Sequence, residues 1–156
     1  MSDVLCFSDK RILLVDDDPM IHEIVPRYLA ELGCPIAAIT DQDDVMGQID
    51  GIKPDLILLD VMMPSINGFD LCRQITARHD VFDQPVLMMT SLCGEADIAN
   101  GFAAGAVDYI TKPVKKSELL ARVITHLRMA HIIKMLKRDN MELAALFGPM
   151  PTTTIM

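Results

Sequence analysis

What most restricts the folds open to this chain is an alternation, repeated five times, of a short apolar run with a stretch of helical pattern. Residues 11–15 (RILLV), 35–39, 55–59 (DLILL), 85–89 (PVLMM) and 107–110 read as strands. DLILL is apolar enough to be buried on both faces. Helices are predicted from Asp18-Pro19 to about Leu32, where Gly33 stops the first, and over 41–49, about 68–78 and about 95–104. Asp18-Pro19 supplies an N-cap and a first-turn proline, and Thr40 or Asp41 opens the second helix. Pro26 falls inside the first helix and predicts a kink. A last helix begins near Lys116, capped by Ser117 or by the preceding turn. Crossovers of this length join parallel strands, so the expected class is α/β, with a five-stranded parallel sheet covered on both sides. Ligands of such sheets bind outside the carboxyl ends of the strands.

A covered sheet needs a core, and 51% hydrophobic against 23% charged residues supplies one; 156 residues fit one domain plus an appendage. No apolar run approaches the ~20 residues that span a bilayer. The start, MSDVLCFSDK, lacks the basic and apolar regions of a secretory signal, so the expected location is cytoplasmic. A formal net charge of −8 argues against a phosphate-backbone groove, so direct nucleic-acid contact and membrane contact are not expected. Cys6, Cys34, Cys72 and Cys93 are scattered, without CxxC or a companion histidine at metal spacing, and are expected to be reduced thiols.

The residues that follow the strands carry the chemistry. The first strand ends in Asp16, Asp17 and Asp18, the third in Asp60, the fourth in Thr90 and Ser91, and the fifth in Thr111, Lys112 and Pro113. A parallel sheet puts all of them on one rim. Each alone has a plainer role: an aspartate there commonly caps the next helix (the role assigned to Asp18), a lone lysine is a solvated surface group, and a lone threonine belongs to a turn. Together they make a different unit. Carboxylates a few ångströms apart repel unless a cation sits among them, and a set of oxygen ligands suits magnesium. A lysine can neutralise a phosphoryl oxygen, a hydroxyl can donate to it, and a carboxylate such as Asp60 can form an acyl phosphate.

The strings ILLVDDDP, DLILLDVMMPSINGFDLCRQI, PVLMMTS and GAVDYITKPVKKSELLARV resemble the response regulator receiver family of two-component signalling, over about residues 10–127. The resemblance implies a flavodoxin-like, doubly wound sheet in the order 2-1-3-4-5 with five helices, the last one extended. It implies that Asp60 accepts a phosphoryl group from a sensor histidine kinase or phosphotransfer protein, in a signalling phosphoacceptor that catalyses only its own phosphorylation and dephosphorylation. Asp16 and Asp17 match the acidic pair that binds Mg²⁺, Asp17 as the direct ligand and Asp16 through water, with Asp60 and the backbone carbonyl of Met62 completing the protein ligands. Thr90 matches the hydroxyl that hydrogen-bonds the phosphoryl group, and Lys112 the lysine that pairs with the acceptor and then with the phosphate. The Lys112-Pro113 bond is usually cis in this family. Tyr109 occupies the aromatic switch position, which turns inward as Thr90 moves. The fourth helix, fifth strand and fifth helix then carry the signal to an output domain or protein outside these residues. Met62 and Leu92, two positions beyond Asp60 and Thr90, are apolar, which implies slow loss of the phosphoryl group to water.

Three rival readings fit less well. A haloacid-dehalogenase-like phosphotransferase resembles its kin in a second aspartate two residues after the nucleophile, where Met62 stands here. A flavin binder needs a phosphate cradle after the first strand, where three aspartates stand. A phosphorylation-independent receiver-like dimerisation scaffold is the remaining alternative, although every residue required for phosphorylation is present.

The last helix outruns a receiver, continuing through HLRMAHIIKMLKRDNMELAALF to Phe147, where Gly148-Pro149 stops it. A heptad reading gives His126, Ile133, Asn140 and Phe147 at a, with Met129, Leu136 and Leu143 at d. An asparagine at a core a position can fix register in a parallel two-stranded coiled coil. A homodimer is therefore expected, against the alternatives of a helix packed on its own domain or a linker without a fixed partner. His126 and His131 read as ordinary helix residues, not ligands. The expected division is a 1–9 arm, a 10–128 receiver domain, a 129–147 helical extension and a 148–156 flexible tail.

Overall fold

The computed structural model of the chain describes residues 7–78, 84–92 and 94–148, so Cys6, Cys93 and residues 149–156 of the predicted tail lie outside the described residues. The strands are β1 (Ile12–Val15), β2 (Ile36–Ile39), β3 (Leu56–Asp60), β4 (Val86–Thr90) and β5 (Asp108–Thr111). Between and after them come α1 (Pro19–Tyr28), α2 (Val45–Ile52), α3 (Gly68–Arg78), α4 (Glu95–Ala103) and α5 (Lys116–Phe147). All neighbours pair in parallel, in the order β2-β1-β3-β4-β5. The predicted class and strand order are therefore those observed. The order reverses between β1 and β3, which opens a crevice at their carboxyl ends.

Alternation along the strands splits the core in two. Ile12, Leu14, Leu56, Leu58, Leu87 and Met89 meet Ile21 and Val25 of α1 and Leu119, Val123 and Leu127 of α5. Leu13, Val15, Ile57, Leu59 and Met88 meet Val45 and Ile49 of α2 and Leu71 and Ile75 of α3. The central strands are buried on both faces, each large side chain contributing roughly 1.5–3 kcal/mol.

Two local expectations are corrected and a third is narrowed. α1 does not run on to Leu32: it closes at Tyr28, two residues past Pro26, and the chain continues as a 3-10 turn over Ala30–Leu32 before Gly33 at φ 73°. Pro26 has no N–H to return to the preceding turn, so the helix shuts within one turn of it. α2 starts at Val45, not at residue 41. Thr40 and Asp43 hold a turn instead, the Thr40 N–H donating to Asp43 Oδ2 at 2.8 Å, and Asp44 is the cap, accepting from the Gly47 N–H at 3.1 Å. Of the two starts expected for α5, Ser117 is not the cap; the chain just before it serves, with Lys115 in that position in extended conformation and without a side-chain bond. The Lys112-Pro113 bond is cis.

Candidate functional site

Register sets the site. Val15 pairs with Leu59, so the next residues, Asp16 and Asp60, leave the sheet at one level. Asp60 pairs with Met89 and Thr90 with Thr111, which brings Thr90 and Lys112 to the same rim. Carboxylate oxygens of Asp16, Asp17 and Asp60 lie within 4.8 Å of one another. Lys112 closes the group, its Nζ 2.9 Å from Asp16 Oδ2 and 3.3 Å from Asp60 Oδ1. Of the predicted residues, Asp16, Asp17, Asp60 and Lys112 are thus brought together.

Each member is fixed by its surroundings. Asp16 is fully buried and accepts from the Asp18 N–H at 2.8 Å, which orients its other oxygen towards Lys112. The Met62 N–H donates to Asp60 Oδ1 at 3.3 Å, which lays the Met62 backbone against the site. Asp18 takes the cap role assigned to it, accepting from the Met20 N–H at 2.9 Å. Burial pushes the Asp60 carboxyl up from 3.8 to about 6; the Asp16 charge adds to the rise, while Lys112 and the Met62 N–H oppose it. Burial also works against the charge on Lys112, but hydrogen bonding to Asp16 and the charges of Asp16 and Asp60 prevail and raise its pKa above the usual value.

Thr90 and Tyr109 are placed differently. Thr90 is buried at the rim, but its Oγ1 accepts from the Leu92 N–H at 2.9 Å, and no hydrogen bond joins it to Asp60 among the described residues. The Tyr109 hydroxyl donates to the Asp97 carbonyl of α4 at 2.7 Å, and its ring meets Phe102 edge-on with centroids 5.5 Å apart. Gly101 makes room for that ring, since a Cβ there would fall on the Tyr109 hydroxyl.

Several supporting residues escaped the sequence reading. The His22 Nε2–H donates to the Asp16 carbonyl at 2.6 Å, and Asp41, nearly buried, accepts from the Ser65 N–H at 2.8 Å. Gly68 lies directly beneath β3, where a Cβ would overlap the Asp60 carbonyl and Val61 Cα. The string SING between an aspartate-ended strand and a helix was the available signal for Gly68. Beside the carboxylates an open cleft of about 620 Å³ is walled by Met62, Pro64, Ile66, Phe69 and Leu92.

A hard divalent ion fits this donor set. Three carboxylates converge, two of them buried, and one lysine cannot balance all three charges. Asp16, Asp17 and Asp60 are the residues that would hold it.

Residues 12–124 match the family model described as the response regulator receiver domain. The chain is 40% identical over 119 residues to the DNA-binding response regulator MtrA of Mycolicibacterium smegmatis, covering 76% of this chain and 51% of that protein. It is 36% identical over 137 residues to the alkaline phosphatase synthesis transcriptional regulatory protein PhoP of Bacillus subtilis, covering 86% and 56%. It thus spans about half the length of these relatives. The BeF3-activated N-terminal receiver domain of RstA from Klebsiella pneumoniae superposes with a TM-score of 0.70 at 33% identity, covering 76% of this chain and 98% of that one. A two-component response regulator from Clostridium difficile does so with a TM-score of 0.71 at 28% identity, covering 76% and 96%.

Proposed function

We infer, from the premise that this chain belongs to the response regulator receiver domain family, that Asp60 is its phosphoacceptor and that the rim around it is the phosphorylation site. The observation that carries the assignment is the placing of Lys112 Nζ within 3.3 Å of Asp60 and 2.9 Å of Asp16 at the topological switch point. Asp60 is the only one of the three clustered carboxylates that leaves β3, and its oxygen faces the ammonium that a phosphoryl group needs.

Asp16, Asp17 and Asp60, with the Met62 carbonyl, would hold Mg²⁺, which would neutralise charge on the transferring group. The protein's own residues do the rest. Asp60 Oδ attacks the donor phosphorus, and the donor's leaving group departs with its electron pair. Lys112 offsets the charge of the phosphoryl oxygens as a fixed cation. Thr90 exchanges its Leu92 N–H contact for a bond from its hydroxyl to the phosphoryl group. Tyr109 and the α4–β5–α5 surface respond to that movement. The apolar Met62 and Leu92 beside the open cleft slow attack by water, so hydrolysis is slow.

The donor is a sensor histidine kinase or phosphotransfer protein, and the recipient of the signal is an output domain or protein. MtrA is named a DNA-binding regulator, which makes a DNA-binding output the first candidate. The extension of α5 is the route to that output and joins two copies of the chain. No described helix is long and apolar enough to cross a membrane. A phosphorylation-independent scaffold has no observation in its favour.

The test is incubation of the wild type and Asp60→Asn with acetyl phosphate, with and without Mg²⁺, read by intact mass. One added phosphoryl group is expected only in the wild type with Mg²⁺. A gain that persists in Asp60→Asn overturns the assignment.

A further inference from the structure

The helix α5 is apolar on two faces, and only one of them has a partner. Leu119, Val123, Leu127 and Ala130, spaced by four, four and three residues, are buried against the sheet. Two polar contacts extend that docking: Lys10 Nζ donates to His131 Nδ1 at 3.0 Å, and Lys134 Nζ lies 2.8 Å from Asp55 Oδ1. A second row begins at Met129, two residues and about 200° around the helix from Leu127. It continues through Ile132, Leu136 and Leu143 to Phe147, exposed by 47 to 82%, with Ile133, the a position of the heptad reading, half-buried beside Ile132. His126, the first a position of the heptad reading, is excluded from this row, because its Nε2 lies 2.9 Å from Asp108 Oδ2 on its own domain.

We propose that this second row is the seam of a parallel, in-register homodimer that begins at Met129 and is registered by Asn140. The seam is a surface apart from the phosphorylation site, and the proposal does not rest on the role of Asp60. Two observations favour a second copy as the occupant. The row, with Leu146 exposed by 76% on its flank, offers on the order of 600 Å² per copy, near the ~800 Å² per partner of a standard interface. Asn140 falls within the row, where an apolar partner would leave its amide unsatisfied. In a parallel pair it meets Asn140 of the second copy, each supplying a donor and an acceptor. An antiparallel pair centred on the row would set Asn140 opposite Leu136 instead.

Sedimentation of the full chain at micromolar concentration tests this. A dimer is expected, reduced to monomer by the Leu136→Glu/Leu143→Glu pair without change in far-UV circular dichroism or in labelling by acetyl phosphate. Orientation is read from Met129→Cys, which should give a homotypic 129–129 cross-link on mild oxidation, identified by peptide mass. A monomeric wild type overturns the proposal, as does a dimer that survives both glutamates. A dimer without the homotypic cross-link overturns the parallel register. Running Asp60→Asn alongside separates the two readings: it should dimerise as the wild type does while taking no phosphoryl group, whereas a wild-type dimer that cannot be phosphorylated with acetyl phosphate and Mg²⁺ defeats only the phosphoacceptor assignment.

Discussion

Asp60 should make the apo domain less stable at neutral pH than a variant that cannot ionise there. Its carboxyl is raised from 3.8 to about 6 by burial and by Asp16. The side chain is 5% exposed, so solvent screens little of this. A folded-state pKa above the unfolded one means that the native protein holds the proton more tightly. The stabilisation is thus fully present below about pH 4, drains between about pH 4 and 6, and is gone above that range. At about 1.4 kcal/mol per pH unit, the difference is ~3 kcal/mol. Asp60→Asn keeps the size of the side chain and an oxygen to accept from the Met62 N–H, but loses the charge. In EDTA it should exceed the wild type by ~2–3 kcal/mol at pH 7.5, or ~5–10 °C in Tm for a chain of this length. The two should converge near pH 4. Urea unfolding followed by circular dichroism across this range is the assay. Mg²⁺ should narrow the gap by stabilising the wild type alone. Equal stabilities at pH 7.5, or a gap that ignores pH, refute the reasoning.

Other perturbations probe the same geometry. Lys112→Ala removes the ammonium shared by Asp16 and Asp60, and should slow labelling by acetyl phosphate by about 10²-fold, seen in intact-mass time courses. Gly68→Ala forces a methyl into the Asp60 carbonyl and Val61 Cα, and should lower stability by ~1–3 kcal/mol in thermal melts while slowing phosphorylation. Gly101→Ala should expel the Tyr109 ring from its contact with the Asp97 carbonyl; with only two tyrosines in the chain, the shift is directly visible by NMR of labelled tyrosine. Polar substitution of both Met62 and Leu92 should hasten loss of the phosphoryl group, measured by the decay of phosphorylated mass, and an unaltered decay rejects the role given to these two side chains.

The rim residues were legible because each depends on one sequence position, the residue that follows an apolar run, whereas the strand order came from the family resemblance. Parallel pairing then aligns those positions whatever the helices do in detail. The start of α2 was not legible, since Thr40, Asp41, Asp43 and Asp44 are all competent caps. The choice among them is made by a contact 24 residues away, where Asp41 accepts from the Ser65 N–H. Gly68 and Gly101 were missed for a related reason. Their importance lies in the space that a Cβ would take from Asp60 and Tyr109, and no local pattern records it. The state of Thr90 was equally hidden, because its hydroxyl has two possible partners and only coordinates show it bound to the Leu92 N–H.

The length of α5 gives the site a lever. Its first residue, Lys116, comes four positions after Lys112, whose ammonium lies 3.3 Å from Asp60 and, on the proposed function, would pair with a phosphoryl group placed there. At 1.5 Å per residue its 32 residues make a rod of ~48 Å, docked as far as Lys134 and projecting ~20 Å beyond. A tilt of ~5° at the base of such a rod moves Phe147 by ~4 Å, about one helical turn less a residue. The Lys134–Asp55 and Lys10–His131 contacts resist that tilt at the point where the helix leaves the domain. Replacing Lys134 and Lys10 with methionine should therefore loosen the exit of α5 without touching the rim. Amide hydrogen exchange should rise around residues 131–136 while the yield of phosphorylated Asp60 stays that of the wild type. Unchanged exchange there would mean that the apolar row of Leu119, Val123, Leu127 and Ala130 holds the helix unaided, and that the two contacts set no direction.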